Sequence, residues 1–340
     1  MEKKSIFDFQ AKLENLYQEG SISEKIKLIL FRFFSSYAEA LTACGIPASR
    51  YTPLFFTYLD LVKEQCLQPF DFSSYHEHIR KPFDYYAFGI NFLAPLVDKV
   101  HSSLKGLERF DDIEKALKKK ENVILFANHQ TEADPQAISI LLEKSHPQIG
   151  EDLIFVAGER VITDPLAIPF SMGRNLLCIY SKRYIDHPPE EKHAKQLHNK
   201  KTMERMRELL SEGGKIIYVA PSGGRDRANS NGVIEVAPFD PQSIEMFYLM
   251  AKKAGKPTHF YPMSLFTYNL LPPPENIQVE LGETRHAKRV PIHLAIGPEI
   301  DMETFPNCEN PDKYVRRKSR ADYIWNLVKN DYDSFPGVSS

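Results

Sequence analysis

Val123-Ile-Leu-Phe-Ala-Asn128-His129-Gln-Thr-Glu-Ala-Asp134-Pro135 holds a strand, a turn and a helix start in one short stretch. Residues 123–127 form an unbroken apolar run, the pattern of a strand covered on both faces. Asp134-Pro135 reads as a helix start, with Asp as N-cap and Pro at the first helical position. His129 thus leaves a strand end, and Asp134 is fixed at the top of a helix one turn later. Working outward, the same alternation recurs. Strands are expected at 152–157, 175–180, 215–220, 258–265 and 291–296, and helices at 135–144, 192–212, 241–254 and 311–329. Strands alternating with helices predict an α/β fold, a mainly parallel mixed sheet flanked by helices, over 81–340. In such sheets the working residues sit on loops past the C-terminal ends of strands.

The first 80 residues have a different texture. Ile26, Leu28, Ile29, Leu30, Phe33 and Phe34 recur near helical spacing behind Ser23, a candidate N-cap. A second helix is expected over 37–44, stopped by Gly45 and Pro47, a third opens at Pro53, and a short fourth precedes Pro82. Residues 1–80 are therefore expected to form a small helical bundle.

The bulk numbers narrow the function. A net charge of −2 excludes a globally basic nucleic-acid binder. Cys44, Cys66, Cys178 and Cys308 are too far apart for the close pairs of zinc or redox motifs, so no metal is expected. No apolar run approaches the ~20 residues that span a bilayer. No apolar segment follows the opening Met-Glu-Lys-Lys-Ser, so no secretory signal is expected. The expectation is a soluble, cytoplasmic monomer with at most peripheral membrane contact.

Chemistry gathers at three strand ends. After the first, the Asp134 carboxylate can return to Nδ1 of His129, fixing the tautomer whose Nε2 accepts a proton. No Ser or Cys adjoins this pair, which suits a nucleophile that is a hydroxyl on the substrate. His and Asp five residues apart also arise by chance, as an ordinary cap and a loop histidine. The strand–turn–helix placement and a second element shift the balance. That element is Lys215-Ile-Ile-Tyr-Val-Ala-Pro-Ser222-Gly223-Gly224-Arg225-Asp-Arg227. A buried strand empties into a glycine-rich loop whose two arginines can converge on one dianion, since guanidinium groups bind phosphate oxygens in pairs. An exposed turn with solvated arginines is the plainer alternative. The third strand ends at Tyr180-Ser-Lys182-Arg183-Tyr184. Downstream, Lys192, Lys195, Lys200, Lys201, Arg205 and Arg207 form either a solvated helix face or a docking patch for an acidic carrier. The stretch 259–265, with Pro262 inside it, either lines an apolar slot for an acyl chain or serves as an edge strand.

In order, these blocks resemble the glycerolipid acyltransferases. Asn-His129-x4-Asp134 looks like their HX4D motif, 178–184 sits where their second block falls, and Tyr261-Pro262-Met263 is similar to the fourth. Pro221-Ser-Gly-Gly-Arg225-Asp-Arg227 stands where many members have Glu-Gly-Thr-Arg-Ser. The soluble, plastid-type glycerol-3-phosphate acyltransferases match best. The resemblance implies His129 as base, Asp134 as its partner, and Arg225 and Arg227 on the phosphate of glycerol-3-phosphate. That group's Lys-His phosphate pair falls on Arg183 and Tyr184; Tyr184 carries no positive charge, and Lys182 can compensate. Ser222, Gly223 and Gly224 would line the site. The acyl donor implied is acyl-carrier protein or acyl-CoA, with no cofactor. Three other readings stand beside it: an acyltransferase for another acceptor such as lysophosphatidate, a serine hydrolase built on Ser222, and a non-catalytic lipid or carrier binder. Ser222 lacks the Gly-x-Ser-x-Gly elbow that such a hydrolase uses.

Overall fold

The computed structural model describes residues 2–180, 185–274 and 283–338. The chain opens with α1 (Glu2–Gln18), α2 (Glu24–Thr42) and α3 (Thr52–Leu67), followed by strand β1 (Tyr75–His76) and α4 (Tyr85–Leu93). Ser23 caps α2 as expected, its Oγ accepting from the Ile26 N–H at 3.3 Å. Two expectations for this region fail. Helix α2 runs unbroken through Tyr37, because Ser35 and Ser36 return their hydroxyls to the carbonyls of Phe31 and Phe33 and do not break it. No further helix forms between α3 and Pro82; Tyr75 and His76 pair instead along the sheet edge as β1, antiparallel to β5 (Asn175–Ile179).

The rest alternates as predicted. Before β5 come β2 (Ser103–Lys105), α5 (Leu107–Lys118), β3 (Asn122–Ala127), α6 (Asp134–Leu142), α7 (Pro147–Asp152), β4 (Ile154–Gly158), α8 (Glu159–Thr163) and α9 (Ile168–Ser171). After it come α10 (Lys192–Glu212), β6 (Ile216–Val219), the hairpin β7 (Arg227–Ala228) and β8 (Ile234–Glu235), and α11 (Pro241–Lys253). The chain then adds β9 (Thr258–Phe266), β10 (His293–Ile296) and α12 (Lys313–Asp333). Eight strands form one sheet in the order β1-β5-β4-β6-β3-β9-β10-β2. The pairs β5-β4, β4-β6, β6-β3, β3-β9 and β10-β2 are parallel, and β1-β5 and β9-β10 are antiparallel. This is the mainly parallel mixed sheet expected.

Strand β3 is buried along its whole length, and its side chains alternate between two cores. Val123, Leu125 and Ala127 join the face that carries the N-terminal helices and α4 to α9, whereas Ile124 and Phe126 join α10, α11 and α12. The bundle is tied to the first face by two buried tyrosines whose hydroxyls donate to backbone carbonyls, Tyr37 to Phe92 (2.8 Å) and Tyr58 to Leu166 (2.7 Å). Because β4, β6 and β3 are parallel neighbours, their C-terminal ends open on one edge of the sheet. The segments carrying Arg160, Arg225 and His129 therefore emerge side by side.

Candidate active site

The loop after β3 is held by two side-chain amides that flank His129. Asn128 extends the ladder to β9, its Oδ1 accepting from the Leu265 N–H (2.7 Å) and its Nδ2 donating to the Leu265 carbonyl (2.9 Å). Gln130 Oε1 accepts from the N–H groups of Thr267 (2.7 Å) and Tyr268 (2.9 Å). His129 lies between these anchors, and its side chain stays about a third exposed at the wall of a cavity.

Asp134 meets the imidazole as the sequence suggested, Oδ2 to Nδ1 at 2.7 Å, but not as a helix cap. Ala133 holds the N-cap position, with Pro135 inside the first turn. The Asp134 carboxylate turns back on its own loop, where it takes the Gln130 N–H (2.8 Å), the Thr131 N–H (3.2 Å) and the Thr267 hydroxyl (2.6 Å). A buried carboxylate ringed by donors can only accept, so Nδ1 carries the proton and Nε2 is left as the accepting nitrogen.

The loop after β6 is fastened beneath the first. The Asp226 N–H donates to the His129 carbonyl at 2.6 Å. Its fully buried carboxylate accepts from Asn128 Nδ2 (2.8 Å), Gln130 Nε2 (3.2 Å) and the Ala237 N–H (2.9 Å). Burial lifts this carboxyl to about 6, against the pull of those three bonds. The Tyr218 hydroxyl donates to the Asn128 carbonyl (2.6 Å), and burial keeps it protonated well above its ordinary range. Sequence reasoning passed over Asp226. The available signal was alternation: in an extended Arg225-Asp226-Arg227, the middle side chain must face away from its neighbours.

Arg225 and Arg227 do flank this junction. Arg225 Nη2 contacts both carboxylate oxygens of Glu283, at 2.8 and 2.7 Å, and Arg160 donates to the same carboxylate. Arg227 donates to the Pro274 carbonyl; burial, then the Arg225 charge, lowers its pKa. Ser222 spends its hydroxyl on its own turn, donating to the Gly224 carbonyl at 2.9 Å, and Gly223 takes the positive φ of 68° that the turn requires. Lys182, Arg183 and Tyr184 lie outside the described residues.

A second, closed ion group sits behind His129. Arg285, 5% exposed, pairs with Glu132 (3.0 Å) and Asp164 (3.2 Å). Burial opposes its charge, yet the two carboxylates outweigh that and raise its pKa. None of Arg160, Glu132, Asp164, Glu283 or Arg285 was singled out from the sequence, because single charged residues carry no local pattern.

From His129 a cavity of about 120 Å³ runs between β4, α6 and α9. Phe155, Ala157, Val161, Ala167, Phe170 and Leu176 give it an apolar wall. The slot expected along 259–265 is not there. Strand β9 is central, paired with β3 on one side and β10 on the other, so it is neither an edge nor a wall. Pro262 is tolerated within it, its carbonyl accepting from the Gly297 N–H at 2.9 Å. On α10, Lys192, Lys200 and Arg205 each already face a carboxylate, which favours the solvated-face reading over a carrier dock, and Lys195 is buried against Glu159. Among the described residues, no cluster of three or more His, Cys, Asp or Glu side chains is placed to hold a metal, and no helix is long and apolar enough to cross a membrane.

The model of the Acyltransferase family matches residues 109–265, the span that holds both loops and the cavity wall. The chloroplastic glycerol-3-phosphate acyltransferase ATS12 of Cucurbita moschata is 39% identical over 308 residues, 89% of this chain and 67% of that protein. The chloroplastic glycerol-3-phosphate acyltransferase of Arabidopsis thaliana is 36% identical over 339 residues, 98% of this chain and 73% of that protein. The 1-acyl-sn-glycerophosphate acyltransferase structure from Thermotoga maritima is a looser match, with TM-score 0.44 and 16% identity over 91% of this chain and 97% of that one. The relatives' chloroplast location lends no support to the cytoplasmic one expected from the sequence.

Proposed function

The chain belongs to the glycerol-3-phosphate acyltransferases, and we propose that it moves a fatty acyl group from a thioester to the C1 hydroxyl of glycerol-3-phosphate, giving lysophosphatidate. One observation carries the reading: the His129–Asp134 couple stands where an apolar cavity meets a loop bearing two arginines. The cavity holds the acyl chain, and Arg225 and Arg227 hold the phosphate, joined by Arg183 and Lys182 on the resemblance alone, with Tyr184 lining the site. His129 Nε2 then takes the proton of the C1 hydroxyl as that oxygen attacks the thioester carbonyl. Asp134 steadies the imidazolium, and loop N–H groups stabilise the tetrahedral oxyanion. The thiolate leaves with the proton from Nε2, so protons and acyl group balance without a cofactor. Both acyl-carrier protein and acyl-CoA meet the needs of this step. Residues 81–340 form the catalytic unit in this reading, with the bundle at 1–80 supporting it and the chain acting as a monomer. The relatives' names favour a chloroplast over the cytoplasm.

The test is incubation with labelled glycerol-3-phosphate and acyl-thioester, using wild type, His129→Ala and Arg227→Ala. Transfer should vanish in the first variant at any substrate level. The second should mainly raise the KM for glycerol-3-phosphate. Release of free fatty acid without transfer would point to a hydrolase and refute the proposal, as would full activity in His129→Ala.

A further inference from the structure

Resting on the reading of the arginine loop as the phosphate site, we infer that Arg160 is a further phosphate-binding arginine beside Arg225 and Arg227, and that Glu283 holds the phosphate's place between Arg160 and Arg225. Arg160 stands in α8, two residues past the end of β4, and Arg225 stands in the loop after β6. Since β4 and β6 are adjacent and parallel, the two guanidinium groups reach the same edge of the sheet. They meet there on one carboxylate. Glu283, 9% exposed at its side chain, gives both oxygens to Arg225 Nη2 and is bonded by Arg160 Nη1 as well. Arg227 senses the charges of both other arginines, so the three cations share one neighbourhood.

A single carboxylate shared by two guanidinium groups is the arrangement that two oxygens of a phosphate make with paired arginines. A phosphate brings a second negative charge and a further oxygen, so it can take over both pairings and leave an acceptor for Arg227. The Arg285 group shows the contrast. There one cation lies between Glu132 and Asp164, a group already rich in negative charge that offers an anion nothing. Arg160 is also the more open of the two residues bridged by Glu283, 32% exposed at its side chain against 15% for Arg225. It marks the side from which the substrate arrives.

Equilibrium binding separates this from a static ion pair. Calorimetry on the full chain, without acyl donor, measures Kd for glycerol-3-phosphate and for inorganic phosphate, with thermal melts to certify each fold. Arg160→Ala should weaken both ligands roughly 10- to 100-fold, and Arg160→Lys should restore part of the loss, keeping the charge without the fork. Glu283→Gln should tighten both several-fold, because the resident competitor loses its charge. In turnover, Arg160→Ala should raise the KM for glycerol-3-phosphate with kcat little changed. Unchanged Kd values in folded Arg160→Ala, or weaker binding in folded Glu283→Gln, would overturn the inference and leave Glu283 a strut. Protein that binds inorganic phosphate with this dependence on Arg160 and Glu283, yet does not acylate glycerol-3-phosphate, would keep the anion cradle and overturn the substrate reading.

Discussion

Replacing Asp134 with Asn keeps size and shape while removing one charge from a carboxylate that accepts four hydrogen bonds. The amide has two ways to sit. With its NH2 at the Oδ2 position it faces the Gln130 N–H and forces His129 into the other tautomer. With its NH2 at the Oδ1 position it meets the Thr267 hydroxyl, which can rotate to accept, and only the Thr131 N–H is left without an acceptor. The second is the cheaper, at about 1–3 kcal/mol of stability for one buried donor, so Tm should fall by a few degrees and the protein should still fold. His129 then keeps its tautomer but loses the negative charge beside the imidazolium. At a separation of about 4 Å and an effective dielectric near 20, that pairing is worth about 4 kcal/mol, reduced to about 3 for an imidazole partly in water. The loss falls on the transition state, so kcat should drop roughly 10²- to 10³-fold with the KM for glycerol-3-phosphate little changed. Steady-state transfer assays beside thermal melts give both numbers. A folded Asp134→Asn enzyme within ten-fold of wild-type kcat would show that the reaction does not need the carboxylate's charge beside the imidazolium.

Three further outcomes follow from the same geometry. Asp226 titrates near 6 in the fold against an ordinary 3.8, so the unfolded chain gives up that proton first as pH rises. The stability this group contributes is present near pH 4 and lost through pH 6; urea midpoints for wild type should therefore fall relative to Asp226→Asn across that window, and a flat or opposite trend refutes it. Gly173→Ala would set a Cβ 2.5 Å from the backbone carbon of Tyr85, so the start of α4 must move; a loss of about 1–3 kcal/mol is expected by denaturant titration, and no loss means the contact is slack. Ala167→Phe fills part of the apolar cavity, and each methylene displaced costs about 0.8 kcal/mol, or about four-fold in apparent affinity. Long acyl donors should lose kcat/KM more than short ones, and an equal loss for all lengths would place the chain elsewhere.

Where periodicity or a turn residue acted locally, the chain was readable in advance. The run at β3, the Ser23 cap and the strand–helix alternation after residue 81 are short-range patterns, as are the loops at His129 and Arg225. Errors came where distant segments compete for one backbone. Tyr75 and His76 pair with β5 where a helix was expected, and β9 sits in the middle of the sheet despite Pro262, because strand order is a choice among partners far apart in sequence.

Order along the chain was enough to nominate an imidazole, a carboxylate and two arginines, because each ends a recognisable strand or opens a recognisable turn. Folding alone decided their company. The acceptor shell of Asp134 includes Thr267, the loop of His129 rests on Asp226, and Arg225 is shared with Arg160 through Glu283. Such partners are separated by tens of residues or more and obey no spacing rule, since hydrogen bonds and ion pairs depend on distance in space, which exists only once the sheet has brought its strand ends together.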